Sequence, residues 1–296
     1  MKSTLTLALQ AALVTFVFAA ICSAEDQTST RHFGGLLDRR STYGDFWFPE
    51  PLRGPEMDVD SEVRVDYFHS ESSNTQSNEV VAEIEHNIGL LTFEVEIPYV
   101  RESESFFDPA TRQISHDVSE GLGNIELAAR HPVFQLVSPD ERVDYTLVAA
   151  LEVAVPTKSE ISHDTEIVPQ LFQLLRVGRH FSVQASAGYS ALIGPVEGGT
   201  NTLEYNVVLG WNIEREEFRL PGIDRIIPIF ELNGERGFTG EDQGINRLFG
   251  TAGMRFNFRP IGTVQPRIGL GYMFPIDDGG RAEMDWGVVT SLVFEL

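Results

Sequence analysis

Cysteine is almost absent: Cys22 is the only one in 296 residues, so a disulfide framework is excluded. Lysine is nearly as scarce. Lys2 and Lys158 are the only two, and the arginines are scattered without a basic run. With 44 acidic residues against 22 basic ones and a net charge of −22, a nucleic-acid partner is not expected, because phosphate binding needs clustered Lys and Arg. After the first residues, no apolar run approaches the roughly 20 residues of a membrane-spanning helix. What remains is a chain that is 42% hydrophobic with 20 Phe, too apolar for intrinsic disorder and long enough for one large domain or two small ones.

Catalytic signatures are missing as well. There is no Gly-rich phosphate loop, no zinc-binding His pair with its Glu, no Cys pair and no G-x-S-x-G elbow. No catalytic residue, cofactor or metal ligand is therefore predicted, and the protein does not read as an enzyme. Ile-Ser-His-Asp occurs at 114–117 and again at 161–164, both in expected external loops. Adjacency of Ser115, His116 and Asp117 does not make a triad, which is defined by spatial geometry. The two His-Asp pairs read as solvated loop residues rather than ligands of a divalent ion. Asp277-Asp278-Gly279-Gly280 and Glu241-Asp242 read as turn chemistry.

The chain opens like an address. Lys2 is followed by a stretch from Leu5 to Ile21 broken only by Thr6, Gln10 and Thr15, and then by Cys22-Ser23-Ala24. Such an order predicts a secretory signal peptide over residues 1–24, cleaved after Ala24. Residues 25–61 form an N-terminal periplasmic segment with an aromatic and proline cluster: Tyr43, Phe46, Trp47, Phe48, Pro49 and Pro51. The cluster suits a cap or plug of the periplasmic mouth, or a linker.

From Glu62 onward the hydrophobic period is two. Leu91, Phe93, Val95, Ile97 and Tyr99 alternate with Thr92, Glu94, Glu96 and Pro98, and Trp286, Val288, Thr290, Leu292, Phe294 and Leu296 do the same at the C-terminus. About twelve such runs are legible, most of roughly nine residues or more, where ordinary strands have ~5–6 and a tilted bilayer-crossing strand needs ~9–11. They fall at 62–70, 78–87, 90–99, 124–134, 143–155, 165–177, 180–191, 201–213, 225–235, 247–259, 263–275 and 283–296. Long connections, such as 101–123, alternate with shorter ones, three of them tight: Asn87-Ile88-Gly89, Gly178-Arg179 and Pro260-Ile261-Gly262. Short turns on one rim and longer loops on the other are the habit of outer-membrane barrels. The fold class predicted is an all-β, antiparallel, up-and-down transmembrane barrel over residues 62–296. A register follows at the Asn87 turn: Ile84 with Leu91, Ala82 with Phe93 and Val80 with Val95. Two runs fit poorly. The run 165–177 is apolar on both faces, and 225–235 contains Pro228, which removes a ladder donor.

With the apolar row facing lipid, the opposite row faces the lumen. It contains Glu83, Glu85, Glu94, Glu96, Glu126, Arg130, Glu152, Glu204, Glu231, Arg255 and Arg267. Charges left on lipid would be costly, up to about 2–4 kcal/mol for each arginine at the midplane and less for each glutamate, so their shared parity supports the assignment. The arrangement implies either a permeation path with a local acidic field or an ion network filling a narrow barrel.

Gly121-Leu122-Gly123-Asn124, opening a strand after a long loop, resembles the Gly-Leu-Gly-Asp element of an outer-membrane porin and transporter family associated with the meta pathway of phenol degradation. Leu151-Glu152-Val153-Ala154-Val155-Pro156-Thr157 is similar to that family's strand ending in Pro-Thr. Asn124 stands where the family has an acidic residue, and the chain ends in Leu296 where assembly signals more often end in Phe. The resemblance implies an outer-membrane transporter for small solutes, among them hydrophobic or aromatic compounds, and supplies no catalytic or binding residue. Expected partners are outer-membrane lipids, the barrel-assembly machinery through the C-terminal strand, and small-molecule solutes. A sealed structural or adhesive barrel is the alternative reading. An outer-membrane lipid hydrolase is the third, and it would need a Ser and a His together on the outer lipid face.

Overall fold

A computed structural model describes residues 48–55, 61–88, 91–108, 113–140, 142–159, 161–162, 164–193 and 199–296. The expected signal peptide lies outside the described residues, as do Tyr43, Phe46 and Trp47 of the aromatic cluster and His163. Fourteen strands follow in order: β1 Glu62–Glu71, β2 Thr75–Ile88, β3 Leu91–Asp108, β4 Gln113–Leu122, β5 Ile125–Val137, β6 Val143–Val155 and β7 Glu166–Val177, then β8 Phe181–Leu192, β9 Thr202–Trp211, β10 Ile213–Glu214, β11 Ile223–Gly237, β12 Asn246–Phe258, β13 Gln265–Pro275 and β14 Trp286–Glu295. Among the described residues, two short helices, α1 (Arg215–Phe218) and α2 (Asp278–Glu283), lie in connections.

All pairings are antiparallel and the ring closes. β14 pairs with β1, β9 with β11, and each remaining wall strand with its neighbours. β4 and β10 continue the staves begun by β5 and β9, so the wall has 12 staves. Closure follows from the side-chain pattern. Ile84, Phe93, Val95, Leu127, Leu151, Leu171, Leu209 and Leu270 are exposed, while Arg64, Asp66, Glu83, Glu85, Arg130, Glu231, Arg255 and Arg267 are buried. A water-soluble fold buries the first kind and exposes the second. The inverted pattern is stable only where lipid solvates the outer row, and there only a sheet without edges satisfies every backbone group. At the rim with shorter connections, Gly178 (φ 65°) and Gly262 (φ 70°) adopt left-handed backbone, which glycine does without a Cβ clash.

Two expectations are corrected, and one strand face left open by the sequence is assigned. First, the β2–β3 register differs: Ile84 pairs with Val95, Ala82 with Ile97 and Val80 with Tyr99, because the strands run on to an Ile88–Leu91 pair. The slip is even, so every side chain keeps its face. Second, the long loop expected over 101–123 is largely strand. β3 continues to Asp108 and β4 returns against it, from Asp108–Gln113 to Tyr99–Leu122. Since β4 pairs with β3 alone, this hairpin extends past the closed wall. Tyr99 pairs with Leu122 and Glu96 with Glu126, so two residues of β3 face three of the β4–β5 stave. Gly123 and Asn124 are in that bulge. Gly123 donates its N–H to the Pro98 carbonyl at 3.0 Å, and a Cβ there would come within 2.9 Å of the Pro98 ring. Third, the apolar row of β7 that resisted assignment faces inward for a specific reason. Val168, Phe172 and Leu174 are buried while Leu171 and Val177 are exposed, and Phe172 and Leu174 pack on Phe48. Pro228 of β11 lies between the Ile229–Gly210 pair with β9 and the Ile226–Ile213 pair with β10, where the neighbouring ladder is interrupted and a missing N–H costs least.

Candidate functional site: the barrel lumen

Residues Phe48–Pro55 run inside the barrel. Pro49, Pro51 and Pro55 have no N–H to offer a ladder, so this segment is held by side chains of the wall rather than by strand pairing. The Glu231 carboxylate accepts from three successive backbone N–H groups: Leu52, in a short contact, Arg53 at 3.0 Å and Gly54 at 3.1 Å. The Pro51 carbonyl accepts from Arg64 at 3.2 Å and from Arg255 at 2.7 Å. The Gln184 amide donates to the Pro49 carbonyl. Glu50, buried, pairs with both Arg255 and Arg267.

Two apolar anchors complete the attachment. Leu52 is fully buried in a cluster with Val208, Ile227, Ile229, Phe249, Met273, Met284 and Val289. Gly253, Gly269 and Gly271 lie beside it, and a Cβ on any of them would crowd the Leu52 methyls. Phe48 packs with Val148, Phe172 and Leu174, and the Arg176 guanidinium lies 5.9 Å from its ring centre. Arg53 stacks over Phe249 at 4.7 Å. These anchors explain why inward positions on β6, β7, β9 and β11 to β14 are apolar in a barrel whose inner row also carries many polar and charged side chains.

The eleven residues expected in the lumen therefore divide into groups. Glu231, Arg255 and Arg267 grip the inner segment. Arg130 is shared between Glu85 and Glu94, the latter at 2.6 Å, and it is fully enclosed with Glu85. Glu83, Glu94, Glu96, Glu126, Glu152 and Glu204 line a cavity of about 450 Å³ beside Arg53, Gly54 and Pro55. Including Asp66, Glu79 and Glu166, nine carboxylates face two guanidinium groups, Arg53 and Arg64, in that cavity. A second cavity of about 410 Å³ shares Arg53, Phe68, Glu79, Val81 and Glu96 with the first and reaches Ser72 in the β1–β2 connection.

Sequence reasoning missed Arg64 and Asp66, although their alternation with Val65 and Tyr67 carries the same parity signal. Arg53 had no such signal, because its position depends on where a proline-rich segment docks. The hydrolase constellation is not assembled in the expected form. His116 turns to Ser105 on the paired strand, ring Nδ1 to Oγ at 2.9 Å, and both are in the protruding hairpin. Among the described residues no carboxylate orients the other ring nitrogen, as a triad requires. Asp277 does what turn chemistry predicts. It caps α2, accepting from the Gly280 N–H at 2.8 Å, and it also accepts from the Leu248 N–H at 2.9 Å and the Asn246 amide at 2.7 Å.

No protein-family model matches this chain, and no curated protein matches it. Among solved structures, the COG4313 outer membrane channel from Pseudomonas putida F1 superposes with a TM-score of 0.54 at 13% identity, over 84% of this chain and 100% of that one. The NanC porin follows with a TM-score of 0.48 at 7% identity, over 80% and 98%. The first shares its fold with this chain, that of an outer-membrane β-barrel.

Proposed function

We propose that this protein is a passive outer-membrane channel through which small solutes cross between the inner segment and the acidic wall. The observation that carries the reading is a closed wall with an apolar exterior enclosing linked, carboxylate-lined cavities that the Phe48–Pro55 segment leaves unfilled. An enclosed field of one sign concentrates counter-ions and excludes co-ions, so the path favours cations over anions. Export by residues 1–24 and insertion by the barrel-assembly machinery through β14 belong to the same reading, supported by the signal-like leader and the Leu292-Phe294-Leu296 alternation.

Planar-bilayer recording of the purified protein in KCl with EDTA tests it. Small single-channel currents with reversal potentials on the cation side are expected, and Glu94→Gln/Glu96→Gln should bring the permeability ratio toward unity. An intact barrel with neither ion current nor flux of a solute panel, aromatic compounds included, would instead favour the sealed structural barrel. The panel also decides the solute class: the Gly-Leu-Gly-Asn resemblance supports aromatic solutes, and the charge of the cavity supports cationic ones. Turnover of phospholipid by the purified barrel would return the hydrolase reading.

A further inference from the structure

The acidic wall contains a more particular arrangement than a diffuse negative field. Adjacent strands place Arg64 opposite Glu83, Glu83 opposite Glu96, and Glu96 opposite Glu126. One cation thus ends a row of three directly opposed carboxylates. Like charges facing each other across a ladder are destabilising, and enclosure removes the water that would screen them.

The nearby arginines already have other work. Arg64 binds Asp66 at 2.7 Å and the Pro51 carbonyl at 3.2 Å. Arg130 is divided between Glu85 and Glu94. The Glu83 side chain, only 6% exposed, keeps one carboxylate oxygen, Oε1, buried with no hydrogen-bond partner. A buried carboxylate oxygen left in that state is costly, and the cavity it lines is roomy. Carboxylate oxygens of Glu83, Glu94 and Glu96 lie within 4.8 Å of one another, close enough to share one ion.

From this geometry we propose that Glu83, Glu94 and Glu96 bind a hard divalent cation, of the calcium or magnesium class, in the lumen. The donor set is all oxygen, with no nitrogen or sulfur to attract a softer metal. Three carboxylates supply part of a calcium shell of 6–8 oxygens, and water in the 450 Å³ cavity completes it. The ion would neutralise the opposed pair and engage the orphaned Glu83 oxygen. Period-two spacing on β2 and β3 fixes the ligands on rigid strands, so the site exists before the ion arrives. The inference is independent of solute flux, since occupancy is a property of the barrel at equilibrium whether or not the path conducts.

Isothermal titration of CaCl₂ into the full barrel, stripped with EDTA and held in detergent, tests it. One saturable site per chain is expected, with affinity at least tenfold weaker in Glu83→Gln/Glu96→Gln and unchanged in Asp278→Asn, a control at the exposed start of α2. Thermal unfolding supplies the second reading. Calcium should raise the wild-type midpoint and leave that of the double variant in place, while in EDTA the double variant should be at least as stable as wild type, having lost two opposed charges. Heat-modifiable electrophoretic migration establishes that each variant is folded, and Glu96→Gln alone serves if the double variant is not. Absence of saturable uptake of calcium and magnesium by the wild type would overturn the site. So would equal affinity in the folded variant, which would assign the ion to exposed acidic loops.

Discussion

Glu50 shows at the level of a single residue how the inner segment is fixed. Its carboxylate lies fully enclosed between Arg255 and Arg267, and Arg267 reaches on to Glu295. Without it each of two guanidinium groups buried in the wall would lose a charged partner, and removing one partner of a buried ion pair costs about 3–5 kcal/mol. Glu50→Gln keeps the shape and removes the charge, so the loss should fall on docking of the segment and not on closure of the wall, whose ladder it does not join. Residues 48–55 should become accessible to added protease in the folded variant and stay protected in the wild type. Protection of both to the same extent would mean that Leu52 and Phe48 alone hold the segment. None of this was legible in sequence. Arg255 and Arg267 declare their parity, but their partner is some 200 positions away in a stretch without periodicity, and only docking brings them together.

Secondary elements were legible to the extent that one rule governed both their faces. β8 obeys a single alternation, apolar to lipid and polar to lumen, and the expected limits of β6, β8 and β12 agree with the observed ones to within one residue. β7 obeys two rules at once, because its inner face serves Phe48, and from sequence such a strand has no recognisable outside. The β3–β4 hairpin failed differently: beyond the bilayer neither face is lipid, so its alternation of polar and charged residues reads as loop. Loop chemistry can still be tested at Asp277. Partial burial pushes its carboxyl up, and the hydrogen bonds from Gly280, Asn246 and Leu248 more than offset this and hold it below the ordinary aspartate range. A group depressed in the folded state contributes stability that is complete above its unfolded value, about 3.9, and is lost as the pH falls through the folded value. Thermal or proteolytic opening of the 276–285 connection should therefore become easier as the pH is lowered through that acidic interval. Asp277→Ala should weaken it at neutral pH by about 1 kcal/mol, the ordinary cost of a lost helix cap, and flatten the pH response. A pH response of equal steepness in the variant would mean that other carboxylates carry it.

At the scale of the whole molecule the question is what fills the cylinder. Barrels of about eight strands are filled by their own side chains, whereas those of about 16–18 hold an open aqueous channel. A wall of 12 staves encloses more space than inward side chains occupy and less than a free pore needs. The Phe48–Pro55 segment takes up part of that space, from β6 and β7 at Phe48 to β11, β12 and β13 at Leu52, and the acidic cavities are what is left. Deleting residues 25–55 should leave the wall intact, because its closure rests on backbone pairing from β14 to β1 and from β9 to β11. Single-channel conductance should then rise severalfold. The ionic preference should change with it. Residues 25–55 carry five acidic and four basic residues, so the deletion removes little net charge, but Arg255 and Arg267 become exposed to the lumen while only Glu231 is uncovered on the negative side. A wider lumen also screens the carboxylates of β2 and β3 more effectively. Both effects weaken cation preference, so the deletion should conduct more and discriminate less. Greater conductance with undiminished selectivity would place the selective step on the acidic wall alone. Unchanged conductance in a folded barrel would mean that the inner segment does not limit passage.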